Sequence, residues 1–147
     1  MSTETDLIKL YSTRILALAT DMPKAERLQS PSATVKRRSL LCGSSVTVDL
    51  QIEDGVVREY GQDVKACALG QAAASVVASG IVGCTQSQVI EARDALKAML
   101  KSSGPVPAAP FEGLEVLQPA SEYKNRHASI MLALDASVDA FEQAIVE

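Results

Sequence analysis

The side chains in this 147-residue chain best suited to bind a metal or act as a nucleophile are three cysteines and a single histidine. Cys42 precedes Gly43-Ser44, Cys67 precedes Ala68-Leu69-Gly70, Cys84 follows Gly83, and His127 stands in Arg126-His127-Ala128-Ser129. Two thiolates with an imidazole suit Zn(II) or iron–sulfur ligation, both of which normally take four ligands. No spacing supplies an obvious fourth. One histidine gives no defensible Ser-His-Asp group, and there is no HExxH, GxGxxG or Walker loop. An ordinary hydrolase, kinase or dehydrogenase is therefore unsupported.

Two of these cysteines are brought together by one turn. Val46, Val48, Leu50 and Ile52 alternate with polar residues, the period of a half-buried strand. Asp54-Gly55 follows, a favoured two-residue hairpin turn because both positions tolerate positive φ. A second strand then runs back to about Val64, so Cys42 and Cys67 are expected at the same end of the sheet. Cys67 also opens a helix, where free amides and the positive end of the helix dipole favour negative charge on sulfur. Lys65 nearby would add to this. The plainer reading of a lone cysteine is a small buried hydrophobe, and Cys84 is read that way. His127 shares the apolar stripe of Ile130 and Met131, so either it meets the cysteines near the helix start or it is a core histidine bonded to a backbone carbonyl.

The remaining elements surround that pair. Leu7, Leu10, Tyr11, Ile15 and Leu18 form one stripe of a helix over about 5–19. Residues 21–33 hold two prolines and read as a loop, and a poorly patterned strand occupies about 34–41. Ala72, Ala73, Ala74, Val76, Val77, Ala78 and Ile81 suit a buried helix of small residues, ended by Gly80 and Gly83. Thr85-Gln86-Ser87-Gln88 matches a capping box for a helix to about Lys101, stopped by Gly104-Pro105. A long loop over 102–119, with one turn around Phe111 to Leu117, leads to a last helix over about 122–145. That helix carries Ile130, Met131, Leu134, Val138, Phe141 and Ile145 at helical spacing. The expected fold is α+β: a three-stranded antiparallel sheet covered by helices, one N-terminal and three C-terminal, in a single domain over 1–147.

Composition narrows the partners. A net charge of −4 and 3% aromatic residues argue against nucleic acid, which calls for a basic face and stacking rings. Lys36-Arg37-Arg38 is the one dense basic run and reads as a solvated edge strand, with a docking surface for a partner as the alternative. The apolar stretch from Ala72 to Gly83 falls short of the roughly 20 residues that a membrane span needs. Glu4 and Asp6 stand where a secretory signal would be positive, and an odd cysteine count fits no disulfide framework, so a reducing cytoplasm is expected.

The order of Cys42-Gly43, the Asp-Gly hairpin, Cys67-Ala68 opening an Ala/Ser-rich helix, and Arg126-His127-Ala128-Ser129 opening the last helix resembles the NifU/IscU-type iron–sulfur cluster assembly scaffolds. The resemblance covers roughly residues 5–145. It implies that fold and a binding and transfer protein, not an enzyme with its own turnover, that accepts sulfur from a cysteine desulfurase, builds a [2Fe–2S] or related cluster and passes it to recipient apoproteins. Some members bind zinc at the same site. By position Cys42 and Cys67 match the first two cysteine ligands and His127 the histidine before the third. Ser44 stands where the family has aspartate, and Ala128 where it has the third cysteine. The implied metal set is then Cys42, Cys67 and His127, completed by an outside thiol or a second subunit. Two alternatives go with it: a scaffold-fold interaction protein that has lost its metal site, and a zinc-dependent sulfur acceptor.

Overall fold

The computed structural model describes residues 11–39 and 43–146. Leu7, Leu10 and Cys42 thus lie outside the described residues. The N-terminal helix, α1, is described from a π turn over Tyr11–Ile15 that continues as α-helix over Leu16–Thr20. Three strands follow, β1 (Ala33–Arg38), β2 (Ser45–Glu53) and β3 (Val56–Lys65), in an antiparallel sheet of order β1-β2-β3. Then come α2 (Ala68–Gly80), α3 (Gln86–Ser102), a 3₁₀ helix (Glu112–Glu122) and α4 (Lys124–Val146). One sheet face carries Val46, Val48 and Leu50 inward, and α4 lies across β1 and β2 on that face. α2 packs beside α4, and α3 on another side of it. The α+β architecture inferred from the sequence is the one observed.

The hairpin forms as its residues dictate. Asp54 and Gly55 take φ of 57° and 79°, the positive pair that matches the natural twist of two antiparallel strands. Thr85 and Gln88 make the reciprocal capping box at the start of α3, and Ser103, in the left-handed conformation, ends it. A bulge between Gln51 and Ile52 shifts the register of the β2–β3 ladder.

Two segments depart from expectation. The stretch read as a long loop with one turn holds an 11-residue 3₁₀ helix. From the N-cap Phe111, buried Leu114, Leu117 and Ala120 recur every third position, with Val116 buried beside them. Side chains three apart are eclipsed in a 3₁₀ helix, so this spacing lays one apolar line against the core. α4 is also no one-sided helix. Ser129, Leu132, Ala133, Ala136, Ser137 and Ala140 are buried along with the apolar stripe, because sheet, α2 and α3 enclose it together.

The outer face of the sheet is partly covered too. Strand alternation places Asp49 on the solvent side, yet its side chain is 0% exposed. Thr34, Asp49 and Gly61 line up across the three strands there. The loop before β1 crosses them so closely that a Cβ on Gly61 would lie 2.4 Å from the Glu26 carbonyl oxygen. From that loop Arg27 Nε and Nη2 donate to Asp49 at 2.6 and 3.1 Å, and the Leu28 amide at 3.0 Å. Thr34 Oγ1 adds a fourth bond at 2.6 Å. Burial pushes the Asp49 carboxyl upward, but the bonds from Arg27, Thr34 and Leu28 together outweigh it and hold the group below its ordinary value.

Both sheet edges are occupied. On β3 the Gln62 amide donates to the Lys24 and Glu26 carbonyls, and Val57 exchanges bonds with Gly83 and Cys84. On β1 the Thr34 amide donates to Gln143 Oε1 of α4, and Arg37 pairs with Asp139. The basic run Lys36-Arg37-Arg38 is exposed on this edge, as such runs are when they discourage strand pairing.

The Asp49 network yields a stability prediction. Asp49→Asn should cost about 2 kcal/mol, since bonds to an ionised group contribute roughly 1.5–3 kcal/mol, measured as a lower urea midpoint. A folded-state value lower than the unfolded 3.8 gives stabilisation that is complete above pH 4 and lost as pH falls through the folded value. The variant should therefore show a flatter acid limb than the wild type.

Candidate functional site

The register pair Ser45–Lys65 ends the β2–β3 ladder, so Gly43-Ser44 and Ala66-Cys67 emerge side by side from the same end of the sheet. Gly43 takes φ +70°, a conformation glycine tolerates, where the chain turns into β2. Cys67 is the N-cap of α2, in extended conformation and half-buried, with no cap bond from its own side chain. α4 begins beside it. A Cβ on Gly70, one turn into α2, would lie 2.5 Å from Ser129 Oγ, so the two helices meet almost backbone to backbone.

This closeness builds a short polar chain. Cys67 Sγ lies 3.6 Å from Ser129 Oγ, and Ser129 donates to Ser44 Oγ at 3.0 Å, both serines being buried. With its proton on Ser44, the Ser129 oxygen accepts from the thiol. Rotated, the same hydroxyl donates to a thiolate. The thiol is thus held in either protonation state while remaining open to solvent on one side.

His127 is 7% exposed, and its Nε2 donates to the carbonyls of Ala120 and Ser121 at 3.0 and 3.2 Å. The ring joins the 3₁₀ helix to α4, and only Nδ1 keeps a lone pair for any other partner. Ala128 is exposed and lines a groove between α3 and α4. The neighbour of Cys67 on α4 is Ser129, a residue the sequence reading passed over. Its signal was available: Ser129, Ala133, Ala136 and Ala140 form a small-residue line facing an equally small-residue α2.

Cys84 is buried near the start of α3, its Sγ set against the Gly80 carbonyl at 3.4 Å, and burial pushes its thiol up. Among the described residues no three His, Cys, Asp or Glu side chains converge as metal ligands, and no buried side-chain nitrogen or oxygen lacks a partner. The hydroxyls around Cys67 therefore satisfy one another rather than point at an empty centre.

No protein-family model matches the chain. The iron-sulfur cluster assembly scaffold protein IscU of Thermotoga maritima is 30% identical over 74 residues, covering 50% of this chain and 52% of that protein. The match thus spans about half the length of that relative. The crystal structure of a nitrogen-fixing NifU-like protein (N-terminal) from Brucella abortus is 42% identical, with a TM-score of 0.93 over 99% of both chains. The chain belongs to the NifU/IscU-type iron–sulfur cluster assembly scaffold family. A NifU/IscU-type fold is also shared with a putative iron-sulfur cluster assembly scaffold protein for the SUF system from Fervidobacterium islandicum. That structure is 17% identical, with a TM-score of 0.79 over 90% of this chain and 97% of the other. Among the described residues of this NifU/IscU-type chain, no helix is long and apolar enough to cross a membrane.

The two described cysteines should differ sharply in reactivity. Iodoacetamide should modify Cys67 in the native protein, whereas Cys84, 3% exposed, should be labelled only after unfolding, read by peptide mass spectrometry. Equal native labelling of both would contradict their placement. Gly70→Ala should lower the melting temperature despite the better helix propensity of alanine, because the new methyl displaces Ser129 at a net cost of about 1–3 kcal/mol.

Proposed function

We propose that this chain is a sulfur and iron carrier in iron–sulfur cluster assembly, with Cys67 as the principal thiolate. The observation that carries the reading is the half-open Cys67 thiol at the start of α2, bonded through Ser129 to Ser44 at the end of the sheet. Membership of the scaffold family supports it. A cysteine desulfurase would supply sulfur as a persulfide. The Cys67 thiolate attacks the terminal sulfur, forming a new S–S bond as the donor's S–S bond breaks and its cysteine leaves as thiolate. Cys42, joined by the chain to Gly43, would be the second thiolate, and together they would hold a [2Fe–2S] cargo for recipient apoproteins. His127 could join only through Nδ1. Because Ser44 and Ser129 offer neutral hydroxyls, the remaining ligands would come from an outside thiol or a second copy of the chain.

A second reading is favoured by a specific observation. Ser44 and Ser129 bond each other, and His127 is committed to two backbone carbonyls. This is how a retained fold with a lost metal site would look. Such a protein would still dock on a desulfurase or a cluster protein.

Anaerobic reconstitution separates the two. Wild type supplied with iron, cysteine and a desulfurase should bind iron and sulfide and gain thiolate-to-iron absorption. Cys67→Ala should abolish both, and Cys42→Ala should reduce them severalfold. A folded wild type that takes up neither, yet captures the desulfurase as well after both cysteines are replaced, would establish the second reading instead.

A further inference from the structure

The first turn of α4 has two working faces. Ser129 looks toward Cys67, while His127 and Ala128 look into a groove of about 950 Å³ between α3 and α4. Leu100 and Met131 form its apolar floor. On the α3 side Arg93, Lys97 and Lys101 stand at intervals of four residues, a straight row on one helix face. Lys124, at the start of α4, faces them.

The charge in this groove is unbalanced. Arg93 is paired with Asp94 at 3.1 Å, and Asp135 marks the far end near Arg93 and Lys97. Lys97, Lys101 and Lys124 are exposed, and none is in an ion pair with a described residue. The positive end of the 23-residue helix α4 opens here with no acidic residue in its first turn. A net positive groove on a chain of net charge −4 is a localised feature, since the excess acid lies elsewhere.

We infer that the groove docks an extended acidic segment of a partner protein, with carboxylates at alternate positions. Residues four apart on a helix rise by about 6 Å, and alternate side chains of an extended strand are spaced by about 6.7 Å. A run such as acidic–small–acidic–small–acidic therefore sets successive carboxylates against the row on α3, and its small residues against Leu100 and Met131. Nucleic acid fits less well, because the lining has no Phe, Tyr or Trp, its His127 ring is buried and held by two carbonyls, and two carboxylates stand among the cations. The inference rests on the groove alone and does not require sulfur or iron on Cys67.

The test is fluorescence anisotropy with a labelled nine-residue peptide alternating Asp or Glu with Ala, against the full chain at several salt concentrations. The wild type should bind it and should ignore the Asn/Gln version of the same peptide. Lys97→Glu/Lys101→Glu/Lys124→Glu should weaken binding by about tenfold or more, as the sum of three exposed charge pairs. Lys36→Glu/Arg38→Glu/Arg58→Glu makes the same change in net charge away from the groove and should leave binding within twofold. Single Lys101→Gln and Lys124→Gln variants give smaller losses in the same order should the triple variant be destabilised. Equal weakening by both triple variants, absence of peptide binding, or tighter binding of an oligothymidylate of matching length would each overturn the inference.

Discussion

The rest of the structure depends on how closely α2 and α4 approach. With 3% aromatic residues the chain cannot fill its interior with large rings. It fills it by bringing backbones together, with alanines, glycine and small serines at the contact and branched aliphatic side chains around it. Gly70 against Ser129 is a tight point of that approach. Because it lies one turn from Cys67, the packing that stabilises the core also fixes the thiol. A shift of either helix would separate Cys67 from Ser129, and Ser129 from the end of the sheet at Ser44.

What could be read from the sequence was whatever is decided locally. The Asp54-Gly55 turn, the Thr85–Gln88 box and the alanine-rich α2 carry their conformations in neighbouring residues, and each stands where its residues indicated. The burial of Asp49 was not legible because alternation along β2 is a local rule that assigns its face, while the cover comes from a loop some 20 positions earlier that folds over Gly61. The 3₁₀ segment was missed because prolines and glycines nearby suggested a loop and the three-residue apolar period was not sought. Ser129 was missed because small residues reveal a helix contact only once the partner helix is known. His127 was rightly placed near the helix start and on the inward side, but its carbonyl partners come from the unrecognised 3₁₀ helix.

The proposed thiol chemistry and the inferred docking groove meet at one helix end. A pair of serine hydroxyls lies beside the thiol on one side of α4, and lysines border an apolar floor on the other. His127 sits between them, and its bonds to Ala120 and Ser121 make the segment before α4 rigid with it. A partner held along the groove would consequently lie on the other side of α4 from Cys67 and leave the thiol uncovered.

The covered sheet edges have a consequence for how this chain can meet other proteins. Backbone amides on β3 are taken by two loops, and the start of β1 is closed by Gln143 and the Arg37–Asp139 pair. Growth of the sheet by adding a foreign strand is restricted along β3 and at the start of β1, and along Lys36-Arg37-Arg38 it is discouraged by charge. Encounters are thereby diverted to the helical side, where side chains rather than bare backbone decide which partner is accepted.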